Sequence, residues 1–562
     1  MNGSLAYFIV IIKLSVVWYY VLMFGNYPVN DDWIFVRQVE AFNQGIFTLS
    51  AESDPSFVTQ GFIGLLWGKL FGIDFLSLQI LTFLTTLIGA LVFVLILKKL
   101  NVKKPIIVFA ALLLFFNPVV FVSAFTFMTE NYYLVFFVSS IYFFLKYFQN
   151  NAEQKNVIIG SALLLLATLV RQVGILIGIS FIVVLIVERL RKNELKFDRR
   201  FILSFTPVII SIIFGLLISF YWPRFGSNRA FILSEDLGPR LKNMLLSLHY
   251  FPLFLFPLFA GLKVKLFENK FRGVVSFLLF ALLVRFLYVF DFYPVGNVFY
   301  IEEIYTKSDF RSTFSLFDNI FFKSFFAVLT AYCITKFLVF MGLKVKAFKY
   351  AYCFSATDTF LFILGSLNFL VLIVSSDFYD RYLVPSFVCF FLLFIKNFAN
   401  EVNIDKRSVF CLVLIAFIVF TLQWEFSSKS RLMWKQAWAL SEKTGLVTQI
   451  SLNDTYINYI ITQKQNDFTG LIERTSFEKK CFVQDYSLES ESKLLMATQN
   501  LEEYIDANVL EKKKPYLVNK KEDQPRAKKH LDALIFNQEY FSFLLNTVGK
   551  RAFVASWCVD NM

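Results

Sequence analysis

Hydrophobic residues run through this chain in long, nearly unbroken stretches, and the polar positions gather between them. A stretch of roughly 20 apolar residues is what a helix needs to cross a bilayer. Spans are expected near 5–25, 76–97, 105–122, 130–148, 157–170, 172–188, 201–221, 243–262, 273–290, 319–341, 355–375, 383–396 and 408–424, about thirteen in all. The fifth and sixth are short and meet at Arg171-Gln172. From about residue 425 charges become dense. Ser430 to Lys443 carries apolar residues at helical spacing, while Leu446 to Ile450 and Phe553 to Trp557 read as strands. The expectation is a polytopic α-helical membrane protein: a transmembrane domain over 1–424, then a small mixed α/β domain over 425–562.

Composition agrees. With 57% hydrophobic and only 17% charged residues, a soluble globular or a disordered chain is excluded. The net charge of +13 suggests nucleic acid until its distribution is considered. The basic residues sit in short runs between spans: Lys98-Lys99 and Lys103-Lys104, Arg189 to Arg200, Lys263 to Arg272, Lys344 to Lys349. That is the positive-inside pattern, and it puts the N-terminus in the cytoplasm. An odd number of spans then puts the C-terminal domain outside. No nucleic-acid motif is present, so no such partner is expected.

The cysteines show no CxxC spacing, and His249 and His530 are the only histidines, so no zinc site is expected. Cys481 and Cys558 are the two cysteines beyond residue 425, and a disulfide between them is chemically allowed outside the cytoplasm. The first apolar run has no small-residue cleavage site after it and reads as a retained span.

Candidate chemistry begins at Asn30-Asp31-Asp32-Trp33, just past the first span. Carboxylates are expensive near hydrocarbon, so such a pair is a functional-site hypothesis. In the expected topology it opens a long external loop, 26–75, whose mixed segments suit helices lying in the interface. Glu130, Arg171, Arg285 and Asp380-Arg381-Tyr382 also fall at external span ends. Acids can deprotonate a hydroxyl, and arginines match phosphate with paired donors. Together they suit a phosphate-linked lipid donor and a hydroxyl acceptor. Each residue has an ordinary explanation too. Asp31 and Asp32 can be solvated loop acids, and Glu130 can cap the helix beginning near Asn131. Arg171 can snorkel, and Arg381 can pair with Asp380 or Asp377. Lys13, inside the first span, suits a helix contact better than catalysis, and His249 sits at an external helix end.

The order of these motifs resembles the GT-C superfamily of polyprenyl-phosphate-sugar-dependent glycosyltransferases, in the branch of the protein O-mannosyltransferases and the aminoarabinose lipid A transferase. The matching features are Pro28-Val29-Asn30-Asp31-Asp32-Trp33 after one span and the segment Gly61 to Leu100. Met128-Thr129-Glu130-Asn131, Leu169-Val170-Arg171-Gln172 and Asp380-Arg381-Tyr382-Leu383-Val384-Pro385 follow. The resemblance covers residues 1–200 and about 375–395. It implies a GT-C-like fold and an inverting transferase at the outer face of a plasma or inner membrane. It implies Asp31 as general base, with Asp32 as its catalytic partner where the family commonly carries Glu. By position, Arg171 and Arg381 would hold the donor phosphate, and Glu130 and Tyr382 would orient substrate. The implied partners are a polyprenyl-phosphate-linked sugar, a hydroxyl acceptor on a lipid, glycan or protein, and membrane lipid. No cofactor is implied. A divalent metal stays open, although the Asp-x-Asp spacing of metal-dependent relatives is missing. The alternative is a transporter or flippase of lipid-linked sugars or other solutes, favoured by the short fifth and sixth spans. The lack of an internal repeat, and polar groups near one surface, count against it. An O-antigen ligase or polymerase-like enzyme is disfavoured by the scarcity of histidine.

Overall fold

The structure is a computed structural model. It describes residues 13, 16, 26–29, 31–50, 53–54, 56–149, 153–191, 198–225, 237–289, 320–348, 355–375, 379–444, 450–451, 479–488, 538–540 and 551–560. Among the described residues nine helices are long and apolar enough to cross a membrane. Two shorter apolar helices, Lys104–Phe115 and Gln154–Thr168, stand beside them. The span expected at 130–148 is the helix Thr129–Gln149, whose Asn, Ser and Tyr residues lower its hydropathy and leave it outside the nine. The span expected at 5–25 lies outside the described residues save Lys13 and Val16. Lys13 is buried with its ammonium 3.9 Å from the centre of the Phe115 ring, a cation–π contact.

The first described helices are α1 (Asp32–Asn43), α2 (Thr59–Phe71) and α3 (Phe75–Lys99). Asp74 caps α3 by accepting the Ser77 N–H at 2.8 Å, and Lys98 and Lys99 close it. Acceptors at a helix start and cations at its end both complement the backbone dipole. Gly72, with φ +92°, ends α2 in a conformation side chains disfavour. Contrary to an interfacial placement, α1 is buried along nearly its whole length. By contrast α2 exposes Leu66, Leu70 and Phe71.

The single span expected at 105–122 is instead two helices, α4 (Lys104–Phe115) and α5 (Pro118–Ser123). Pro118 supplies no N–H and disfavours helical backbone at Asn117, so the ladder breaks there. The Asn117 side chain restarts it by accepting the Val119 N–H at 3.1 Å.

The bundle continues through α6 (Thr129–Gln149), α7 (Gln154–Thr168), α8 (Ile175–Arg191), α9 (Arg199–Tyr221), α10 (Leu237–Ala260), α11 (Lys270–Val289) and α12 (Ile320–Phe348). The helices α13 (Ala356–Val374) and α14 (Val384–Phe398) form a hairpin through a 3-10 turn, Asp380–Leu383. At the far end of that hairpin Asp358 accepts from Lys396 at 2.6 Å and Asn397 at 2.9 Å. Large apolar side chains are exposed along α9 and α11, as a lipid-facing surface requires.

The last helix, α15 (Lys406–Thr444), is 39 residues long and runs unbroken across the composition change near 425. Beyond it the described residues form a four-stranded sheet, ordered β1-β2-β4-β3. The strands are β1 (Ile450–Ser451), β2 (Lys479–Leu488), β3 (Gln538–Tyr540) and β4 (Arg551–Asp560). The strand expected at Phe553 to Trp557 lies within β4, and Ile450 opens β1; residues 446–449 lie outside the described residues. The pairs β2–β4 and β3–β4 are antiparallel, and β1–β2 is parallel. The sheet packs against α15.

Candidate active site

Asp31, Asp32, Glu130, Arg171, Arg381 and Tyr382 gather at one end of the bundle, each at the start of a helix or in a turn. Asp31 and Asp32 begin α1, Glu130 lies in the first turn of α6, Arg171 follows α7, and Arg381 and Tyr382 lie in the turn before α14. The basic pairs Lys98-Lys99 and Arg189-Arg191 close α3 and α8 at their other ends.

Arg171 is placed by a tight turn. After α7 the chain makes one 3-10 turn, Gln172–Gly174, before α8 begins. A Cβ on Gly174 would stand 2.6 Å from the Thr168 nitrogen and 2.8 Å from the Ala167 carbonyl carbon, so only glycine allows this approach. The loop between α1 and α2 is fastened to the same turn. The Val58 and Thr59 N–H groups both donate to the Leu169 carbonyl at 3.0 Å. Near its middle, Leu49 pairs with the segment just after α9 through the Pro223 carbonyl and the Phe225 N–H, each at 2.8 Å.

Arg171 donates through Nε to Thr129 Oγ1 at 2.9 Å and through Nη2 to Glu130 Oε1 at 3.0 Å. Arg381 brings its Nε within 3.2 Å of that same Oε1. Thus one buried carboxylate serves two guanidinium groups. The Tyr382 ring lies under both, 4.5 Å from Cζ of Arg171 and 5.6 Å from Cζ of Arg381. Asp54 adds a second acid, its Oδ2 4.0 Å from Arg171 Nε. A small cavity opens beside Glu130, Arg171 and Arg381, with Ser123, Asn131 and Tyr133 also on its wall.

The two aspartates differ. Asp31 is half-buried, and its carboxylate bears electrostatically on Arg381. Asp32 is fully buried. Its Oδ1 accepts the Val29 N–H at 2.7 Å, folding the loop back on the start of α1. Burial pushes the Asp32 carboxyl well above the usual carboxylate range, against the opposing pull of that N–H. Partial burial also pushes Asp54 up, with the Arg171 guanidinium pulling the other way. Before Asp31, the Tyr27 hydroxyl donates to the Ser427 carbonyl of α15 at 3.1 Å. The Tyr27 ring stacks on Trp434 of the same helix.

Glu130, Arg171, Arg381 and Tyr382 are therefore brought together within reach of the Asp31 charge, while Asp32 is buried on the Val29 N–H. Arg285 is exposed on α11 and does not line the cavity. Buried His249 meets Thr330 Oγ1 at 3.3 Å through Nε2. The sequence reading missed Asp54, Thr129 and Tyr250. Asp380 does not serve Arg381 alone, for its Oδ2 accepts from the Tyr250 hydroxyl at 3.2 Å, tying the turn to α10. Asp377 lies outside the described residues. The acid Asp54, next to Pro55 in the loop that carries Asp31, was the one signal available for that residue. Thr129 stands inside the motif Met128 to Asn131 but had been given no role, and nothing local marked Tyr250. No three His, Cys, Asp or Glu side chains among the described residues stand close enough to share a metal ion.

Comparison with known proteins adds one segment match. Residues 58–221 match the model of the dolichyl-phosphate-mannose-protein mannosyltransferase family. The segment holds Glu130 and Arg171 but neither Asp31 nor Arg381. Among curated proteins none matches. Two crystal structures of ArnT from Cupriavidus metallidurans superpose loosely, both at 12% identity. The one bound to undecaprenyl phosphate has a TM-score of 0.39, covering 99% of this chain and 98% of that one. The apo structure has a TM-score of 0.38, covering 97% of each chain. The family segment coincides with the motif order read from the residues over Gly61 to Arg171.

Proposed function

We propose that the protein is an inverting glycosyltransferase that moves a sugar from a polyprenyl-phosphate donor to a hydroxyl acceptor, on the side of the membrane away from the basic loops. The observation that carries this reading is the convergence of Arg171 and Arg381 on one Glu130 oxygen beside Asp31. Two guanidinium groups held by a buried acid are pre-set to meet a phosphate diester with paired donors. Asp31, on the rim of the same cluster, accepts the proton of the acceptor hydroxyl. That oxygen attacks the anomeric carbon from the face opposite the phosphate. The bond from that carbon to the phosphate oxygen breaks, and polyprenyl phosphate leaves with the electron pair. Asp32 fixes the turn, and Tyr382 stacks the arginines. The side assignment rests on the basic ends of α3 and α8 lying opposite the cluster.

The test is sugar release from a panel of polyprenyl-phosphate sugars by the protein in lipid, with Asp31→Asn beside it. Turnover of one donor, lost in Asp31→Asn, supports the reading. Turnover that survives Asp31→Asn removes Asp31 as base. Donor movement across the bilayer without sugar release overturns the reading in favour of a flippase.

A further inference from the structure

The backbone register of the C-terminal sheet pairs two cysteines. In the β2–β4 register, Cys481 is the direct partner of Cys558. Directly opposed residues of an antiparallel pair lie on one face of the sheet, with Cα atoms about 4.5 or 5.5 Å apart. A disulfide needs roughly 4.4–6.8 Å between Cα atoms, so both kinds of opposed pair fall inside its range. The other four cysteines belong elsewhere. Cys333, Cys389 and Cys411 are free thiols on membrane helices, and Cys353 precedes α13. Only Cys481 and Cys558 occur beyond α15.

We propose that Cys481 and Cys558 are joined by a disulfide that pins β2 to β4. It rests on the orientation adopted above, with the sheet outside the cytoplasm, and not on the assignment of Asp31. Outside, thiols meet an oxidising environment. The two thiols lose two protons and two electrons as the S–S bond forms. The electrons pass by thiol–disulfide exchange to an oxidised dithiol oxidoreductase of the cell envelope, which is left as its dithiol. The bond would hold register. A one-residue slip of β2 along β4 would carry one cysteine to the opposite face, so the covalent link permits one pairing and excludes its neighbours.

The full-length chain in native membranes tests this. Free thiols are blocked with N-ethylmaleimide in denaturant, then the sample is reduced and labelled with a maleimide-polyethylene glycol. The expected result is two adducts per chain in the wild type and none in Cys481→Ser/Cys558→Ser. A peptide map without reduction should recover Cys481 linked to Cys558, a readout that needs no variant. Absence of adducts in the wild type overturns the proposal, as do adducts that persist in the double variant. A reducible dimer on a gel assigns the bond between chains and overturns it too. Sugar turnover is scored separately, so a missing disulfide in an active protein and an intact disulfide in an inactive one are distinct results.

Discussion

Arg381 stands with its Nε 3.2 Å from Oε1 of Glu130, linking the turn before α14 to the first turn of α6. Arg171 is on the same oxygen at 3.0 Å, and the side chains keep only 9–14% of their surface exposed. Removing one member of a buried ion cluster leaves the others charged and unmatched, at about 3–5 kcal/mol. Glu130→Ala should therefore lower thermal stability in lipid by roughly that amount. Glu130→Gln, which keeps an acceptor, should lose less. Equal melting of both variants and the wild type would remove Glu130 as the organising charge.

Asp31 and Asp32 should separate kinetically. A general base contributes about 100- to 10,000-fold, so Asp31→Asn should cut donor turnover on that scale. Asp32→Asn keeps an oxygen for the Val29 N–H and should retain much more activity. Single-turnover sugar release measures both; a larger loss from Asp32→Asn would exchange their roles.

Asp32 also sets a pH dependence. Its carboxyl is held above the ordinary range by burial, so the folded chain keeps the proton that the unfolded chain releases. Such a group stabilises fully below the unfolded value, near about 3.9, and that contribution drains away as pH rises toward the folded value. Melting temperatures from pH 5 to pH 8 should fall more steeply in the wild type than in Asp32→Asn. Parallel curves would count against a protonated Asp32.

Gly174→Ala should disturb the site without touching it. The added methyl meets Thr168 and Ala167 backbone, which cannot rotate aside. Overpacking of this kind costs about 1–3 kcal/mol and should shift Arg171. A raised KM for donor in a folded protein is the expected signature, and unchanged kinetics would show that the turn yields.

Arg171→Lys tests the planar donor set. Lysine keeps the charge but loses the paired donors and the stack on Tyr382. A charged hydrogen bond is worth about 1.5–3 kcal/mol, so polyprenyl phosphate should bind roughly ten- to a hundredfold more weakly. Binding of the lipid phosphate in nanodiscs reports this directly, and wild-type affinity would place the phosphate elsewhere.

Much of this architecture is written in one-dimensional pattern. Runs of apolar residues located most helices, and charges marooned at their ends located most of the cluster. What escaped was set by contacts distant in the chain. Asp54 earns its place only because the loop hangs on the Leu169 carbonyl, and Tyr250 only because α10 passes the turn at Asp380. The break at Asn117-Pro118 was visible as a dipeptide but hidden by the apolar residues around it. The continuity of α15 was masked in the same way, since composition changes there while backbone geometry does not.

That continuity makes α15 a shaft. At 1.5 Å per residue it reaches about 58 Å, nearly twice the hydrocarbon thickness of about 30 Å. It carries Trp434 against Tyr27, four residues before Asp31, and the sheet near its tip. Rotation anywhere along a shaft is felt at both fittings. One residue inserted between Thr421 and Ser427 would turn everything beyond by about 100°. Trp434 would swing off Tyr27, and the sheet would be carried around the mouth of the site. The loop that carries Asp31 and the C-terminal sheet are thus indexed to each other by helical phase, as two gears are by a common axle.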